Sequence, residues 1–301
     1  MNKATLTRLL IIHLLLGVFL VAGGILGIVT GWTASQSEIL LVTAFHGITD
    51  SPTRPWEIES AALDRILDNF HRHSYESLPP ERFSDWRSGN LRGGRRFLMT
   101  FDDGLSSSGE CMRRLKKERG IESVLFVVTD LLGKPGYLSR NDLISLASEG
   151  ATIGLHGKRH EEVPALIASG VDISVELTEA RKDLELLLGK PVTWYAYPFG
   201  VYNASAALAV ASAGFSQAFT IDGSQIKREA NPMTLPRLMY LRGAEKAGEP
   251  VLDDWFPPPV ARTGGMTIIL GFFILLIGAR FLLRARMINT HRSKLAPPSP
   301  K

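Results

Sequence analysis

A single cysteine, Cys111, stands among the 301 residues. Its solitude excludes an internal disulfide and any zinc cluster built from several thiolates. A small buried hydrophobe is its plain reading, because the sequence places no base beside it. Histidine is scarce too, seven in all, with none between His160 and His291. Both ends lack acid. Residues 1–32 carry Lys3 and Arg8, and residues 264–301 carry six basic residues, Arg280, Arg284, Arg286, Arg292, Lys294 and Lys301. With those eight set aside, 26 basic residues face 30 acidic ones in the middle, so the net charge of +4 for the whole chain belongs to its tails. A mildly acidic middle argues against nucleic acid as a partner. No repeat or long low-complexity segment appears. At 45% hydrophobic and 21% charged residues, disordered and collagen-like chains are excluded.

Long apolar runs are present at both ends. From Leu9 to Trp32 no residue is charged. This run exceeds the roughly 20 residues that cross a bilayer as a helix, and it lacks the small-x-small exit of a cleaved signal. We expect an uncleaved anchor, with His13 near the cytoplasmic headgroups. Residues 264–283 form a second run, in which Arg280 lies near enough to the end to snorkel. Basic residues at the outer end of each run place both termini in the cytoplasm. Trp32 and Trp255 suit interfacial anchors. The expected organisation is thus a tail and span over 1–32, an extracytoplasmic domain over 33–263, a span over 264–283 and a basic tail over 284–301. A bacterial inner or cell membrane is the implied location, with the domain periplasmic or extracellular.

The middle alternates strand-like apolar runs with amphipathic stretches. Strands are expected at 38–45, 96–101, 123–128, 151–156, 192–197, 218–221 and 235–240. Helices are expected at 58–73, 107–120, 140–150, 174–189 and 204–214. Repeated βα units imply an α/β fold with a parallel sheet, and so many in one domain suggest a barrel. Active sites of such barrels lie where strands end. His46, Asp102-Asp103-Gly104, His156 with His160, and Tyr197-Pro198-Phe199-Gly200 all fall at predicted strand ends.

TFDDG (100–104) sets two carboxylates side by side. Alone, it equally suits a turn or helix cap. HGKRH (156–160) sets two imidazoles four apart, which suits one shared cation or a basic surface loop. Together, two His and one Asp are a common ligand set for a catalytic divalent metal, and a second Asp offers a base for bound water. Zinc, cobalt, nickel and iron all accept such ligands.

TFDDG, then HxxxH, then YAYPFG, in this order and spacing, resembles the polysaccharide deacetylases (carbohydrate esterase family 4, the NodB-homology domain). The resemblance covers about 40–242. It implies a distorted (β/α)7 barrel and metal-dependent removal of N-acetyl groups from amino sugars. It further implies Asp103, His156 and His160 as metal ligands, Asp102 as general base and the backbone N–H of Phe199 as oxyanion donor. Tyr197 and Pro198 of the same motif are expected at the substrate.

Three positions depart from the main family pattern. Ala196 stands where many members have an Arg beside the base, no late Leu-x-x-His supplies an acid, and Gly157 replaces Ser or Thr. AFHGI (44–48), YAYPFG, GFSQAFTIDG (214–223) and LPRL (235–238) resemble the poly-β-1,6-N-acetylglucosamine deacetylases instead. In that branch an early histidine is the acid, which implies His46. A strand-end histidine bonded to a backbone carbonyl is the plainer reading. Arg237 suits a substrate contact, a carboxylate-orienting role or a surface ion pair. The expected substrate is an amino-sugar polymer of N-acetylglucosamine type. Alternatives are a deacylase or deformylase of a polyprenyl-linked amino sugar, and a non-catalytic glycan-binding barrel within an envelope biosynthesis assembly.

Overall fold

The computed structural model describes residues 39–91, 93–223 and 225–243, with Val18. Apart from Val18, these lie in one compact unit, Gln36–Val251. The expected spans at 1–32 and 264–283, with His13, Trp32 and Trp255, fall outside the described residues. Among the described residues no helix is long and apolar enough to cross a membrane.

The elements follow the order β1 (Ile39–Phe45), β2 (Ile48–Thr49), β3 (Ile58–Glu59), α1 (Ser60–Arg72), β4 (Tyr75–Ser77), α2 (Phe83–Arg87), β5 (Arg95–Phe101), α3 (Ser106–Arg119), β6 (Ser123–Val127), α4 (Arg140–Ser148), β7 (Thr152–Leu155), α5 (Val163–Ala168), α6 (Ile173–Leu188), β8 (Trp194–Ala196), α7 (Ala204–Ser212), β9 (Gln217–Phe219), β10 (Ile226–Lys227) and β11 (Leu238–Met239). The path β1-β5-β6-β7-β8-β9 is parallel throughout. Buried on both faces, its strands read as near-continuous apolar runs such as ILLVTAF, interrupted there only by Thr43. Helices start and stop where the sequence supplies caps. Asp172 accepts from the backbone N–H groups of Ser174 and Val175, Ser139 and Asp142 form a capping box, and Gly120 and Gly189 close α3 and α6 in the left-handed conformation.

The last seam departs from a regular barrel. Leu235 bridges Phe219 of β9, whereas Leu238 and Met239 pair with Thr43 and Ala44 of β1. One segment therefore touches β9 and β1 in turn. Pro236 within it has no N–H to continue either ladder. The expected strand 235–240 is cut to two residues, and among the described residues no helix joins it to β9. The expected seven βα units become an incompletely closed α/β barrel. Pieces of two to six residues (β2, β3, β4, α2, α5, β10) were not expected from the sequence, since they are too short to display a period.

Aromatic rings fill the barrel. Phe83 of α2, 5.9 Å from Trp86, meets Trp194 at the start of β8, with Phe83 and Trp194 centroids 5.0 Å apart. Trp194 leads to Phe219 (5.2 Å) and Phe219 to Phe126 (5.6 Å). This stack explains Gly154 on β7. A Cβ there would lie 2.5 Å from the Phe126 ring and 2.9 Å from the Trp194 carbonyl oxygen. Above Phe126 sits the guanidinium of Arg237, its Cζ 5.3 Å from the ring centroid.

Candidate metal centre and its carboxylate

Strand register gathers the polar residues on one rim. Phe45 pairs with Phe101, so His46 and Asp102 leave β1 and β5 side by side, and the Asp102 N–H donates to the Phe45 carbonyl at 2.8 Å. The His156 N–H donates to Val127 at 2.7 Å, and that of Tyr197 to Phe219 at 2.9 Å. His46, Asp102, Asp103, His156 and the Tyr197–Gly200 turn all stand at carboxyl ends of strands, as the sequence led us to expect.

Asp103, His156 and His160 converge. Their ligand atoms lie within 4.8 Å of one another. Asp103 Oδ1 stands 3.3 Å from His160 Nε2 and 3.6 Å from His156 Nε2. Donors bound about 2.0–2.2 Å from one cation stand roughly 3–3.6 Å apart, so this spacing fits a shared ion. Two further observations agree. Asp103 Oδ1 is buried with no hydrogen-bond partner. The Nδ1–H of His156 donates to the Ala196 carbonyl at 2.9 Å, which leaves the Nε2 lone pair turned to the cluster. Burial pushes the His156 pKa down to about 3, so the ring is a neutral donor at any working pH.

The backbone is strained at the same place. Asp103 (φ 72°), His160 (φ 60°) and Phe199 (φ 57°) are three of the four described non-glycine residues with positive φ. Each such conformation costs about 1–3 kcal/mol, and its concentration at one rim marks a functional constraint. Gly157 (φ 81°) is needed for the same turn, since a Cβ there would meet the Pro198 ring at 3.3 Å. The HxxxH loop is held by Arg159, which pairs with Glu176 of α6 at 2.8 Å.

Asp102 is bound differently. Arg237 grips it with both nitrogens, Nη1 to Oδ1 at 2.7 Å and Nη2 to Oδ2 at 2.8 Å. The same guanidinium donates to Thr100 Oγ at 2.9 Å and to the Thr220 carbonyl at 3.1 Å. Thr100 in turn donates to the Thr43 carbonyl. Burial works against ionisation of Asp102, but the Arg237 charge and its paired hydrogen bonds prevail and hold the carboxyl well below the usual range. Asp103 behaves oppositely. Burial pushes it up to about 6, with His46 opposing and Asp102 adding.

Arg237 is fully buried and its donors face Asp102, Thr100 and Thr220, so it does not meet substrate. It supplies the cation that is missing at Ala196, reaching the same carboxylate from the last seam. Tyr197 is also fully buried, its hydroxyl donating to the Met233 carbonyl at 3.0 Å, and Pro198 is buried against Gly157. The expected substrate contacts at Tyr197, Pro198 and Arg237 are therefore not met by the geometry. The exposed member of that turn is Phe199, 55% accessible, whose ring lies 4.5 Å from that of His160. Thr100 was not anticipated, although alternation along β5 places Leu98, Thr100 and Asp102 on one face. His46 Nδ1 is buried without a hydrogen-bond partner, and the His46 carbonyl accepts from Ser108. The plainer reading of His46, a ring tied to a backbone carbonyl, is not what the structure shows.

A pH dependence follows. A carboxyl whose folded pKa is raised binds more protons in the folded than the unfolded chain between about pH 4 and 6, so the cation-free protein loses stability as pH rises through that window. A bound cation reverses the sign, because it needs the carboxylate. Cation affinity measured by titration calorimetry is expected to fall steeply below about pH 6, about tenfold per pH unit for one competing proton. Affinity independent of pH between 5 and 7 would remove Asp103 from the ligand set.

Comparison with known proteins agrees with the fold. Residues 90–218 match the family model for polysaccharide deacetylase. YxkH of Bacillus subtilis, a candidate polysaccharide deacetylase, is 22% identical over 216 residues, covering 71% of this chain and 76% of that protein. A de-N-acetylase from Aggregatibacter actinomycetemcomitans has a TM-score of 0.64 at 15% identity, with 72% of this chain and 100% of that chain covered. A Bacillus cereus polysaccharide deacetylase has a TM-score of 0.59 at 20% identity, with 68% of this chain covered. The present chain spans only 66% of the length of that Bacillus cereus protein.

Proposed function

We propose that this chain, whose residues 90–218 match the family model for polysaccharide deacetylase, is a metal-dependent hydrolase removing N-acetyl groups from an amino-sugar polymer of N-acetylglucosamine type. The observation that carries the reading is the pairing of two unlike carboxylates. Asp102 is held ionised by Arg237, and next to it Asp103 joins His156 and His160 as an unsatisfied donor set.

The chemistry follows from what each group can do. A divalent cation held by Asp103, His156 and His160, zinc or else cobalt, nickel or iron, would supply Lewis acidity towards the acyl oxygen and lower the pKa of water. Asp102 has no proton to give and is placed to accept one from the attacking water. The Phe199 backbone N–H donates to the oxyanion as the carbonyl carbon becomes tetrahedral. His46 gives a proton to the amine as the C–N bond breaks, and acetate and a free amine leave. The early histidine, the YAYPFG turn and the LPR segment support the poly-β-1,6-N-acetylglucosamine branch for this chain.

We place the enzyme at a bacterial cell envelope, anchored by the apolar runs at 9–32 and 264–283, with the hydrolase outside the cytoplasm. The test offers the purified full chain β-1,6-linked N-acetylglucosamine oligomers and, separately, a polyprenyl-linked N-acyl amino sugar. Acetate and amine release from the oligomers supports the polymer reading. Release from the lipid-linked sugar alone would replace it, and release from neither, with cation bound, would leave a glycan-binding barrel.

A further inference from the structure

Beside the reacting groups the rim carries a second feature, built from two loops that the mechanism does not use. The first spans residues 50–57. Its end is tied to the residue after His46, because the Ile58 N–H donates to the Gly47 carbonyl at 2.9 Å and a Cβ on Gly47 would meet Glu57 Cγ at 3.1 Å. Glu57 fixes the loop from within, its carboxylate accepting from the Thr53 N–H (2.7 Å), the Thr53 hydroxyl (3.1 Å) and the Arg54 N–H (2.9 Å). Arg242 fixes it from outside, donating to the Pro52 and Pro55 carbonyls. This immobilised loop presents Trp56, 38% exposed, with Arg54 Cζ 5.9 Å from its ring centroid.

The second loop, 131–138, is stitched to the aspartate motif. The Ser106 N–H donates to Gly136, the Leu138 N–H to Gly104, and Leu105 bridges Tyr137. Tyr137 is half-buried there. The two loops meet at Gly47, where an added Cβ would stand 3.1 Å from Glu57 Cγ and 3.6 Å from Leu105, the bridge partner of Tyr137. The Phe199 ring lies 4.5 Å from that of His160. A flat indole and a phenol, held rigid at the rim, offer apolar faces at low entropic cost together with polar tips.

We propose that Trp56, Arg54 and Tyr137 form a binding strip for a pyranose ring next to the sugar undergoing reaction, with the C–H face of that ring on Trp56 and its hydroxyls towards Arg54 and Tyr137. The inference rests on the amino-sugar polymer reading and adds a substrate-length requirement to it. Binding energy from a remote sugar lowers the barrier at the reacting one.

The test uses the cation-loaded full chain with β-1,6-linked N-acetylglucosamine as monomer and pentamer. For Trp56→Ala, the ratio of kcat/KM for pentamer over monomer is expected to fall about tenfold, with Trp56→Phe recovering part of the loss, an effect of about 1.4 kcal/mol. An unchanged ratio, or an equal loss on both substrates, overturns the strip. Pentamer binding by titration calorimetry, measured in parallel on cation-stripped protein, separates the two readings. Binding that depends on Trp56 without any acetate release sinks the catalytic reading and keeps the strip. Acetate release with no dependence on Trp56 sinks the strip and keeps the enzyme. No pentamer binding and no release sinks both.

Discussion

Asp102→Asn should bind a divalent cation with unchanged stoichiometry and lose about three orders of magnitude in turnover, the scale of a general base removed from its step. The two properties separate because the structure separates the carboxylates. Asp103 Oδ1 faces the two imidazoles at 3.3 and 3.6 Å, whereas each oxygen of Asp102 accepts from Arg237 and keeps a second lone pair. Asparagine keeps the shape and one acceptor but cannot take a proton. Steady-state acetate release and cation titration on the same preparation check the claim. Equal loss of cation binding and turnover would mean that Asp102 is a ligand rather than the base.

Arg237→Met should be the most destabilising single change at the site, by about 3–5 kcal/mol, the usual cost of leaving one member of a buried pair uncompensated. It removes a fully buried guanidinium that makes two bonds to Asp102, one to Thr100 and one to Thr220. Turnover should fall with it, since an unpaired buried Asp102 is no longer held ionised. The double variant Asp102→Asn with Arg237→Met should recover much of the stability and none of the turnover, a coupling that a double-mutant cycle reads directly. Arg237→Lys should rescue little, because an ammonium cannot offer two parallel donors. Additive losses in the cycle would show that the two side chains act independently.

These expectations rest on features that were unequally legible in the sequence. TFDDG and HGKRH each have a plain reading alone, but both fall at strand ends, and that coincidence was readable because β5, β6 and β7 are strong apolar runs. The cluster of Asp103, His156 and His160 follows from it. The partner of Asp102 was not readable in the same way. Arg237 is 135 residues away, and it arrives through a seam where Leu235 pairs with β9 and Leu238 with β1. No local period reports such a crossing. The substrate contacts failed for a related reason. Tyr197 and Pro198 belong to the right turn, but the left-handed φ of Phe199 turns only that residue outward while its neighbours pack inward. Trp56 and Tyr137 carried no signal, because nothing in their local sequence tells a rim aromatic from an ordinary surface one.

The central claim is that Asp103, His156 and His160 hold a divalent cation on which deacetylation depends. The most direct measurement strips the full chain with a chelator and titrates zinc or cobalt back while following acetate release from β-1,6-linked N-acetylglucosamine oligomers. No release is expected from the stripped protein, with a rise that saturates at one cation per chain and no such rise in His156→Ala or His160→Ala. Release that survives chelation, or that returns with the cation in both histidine variants, would contradict it.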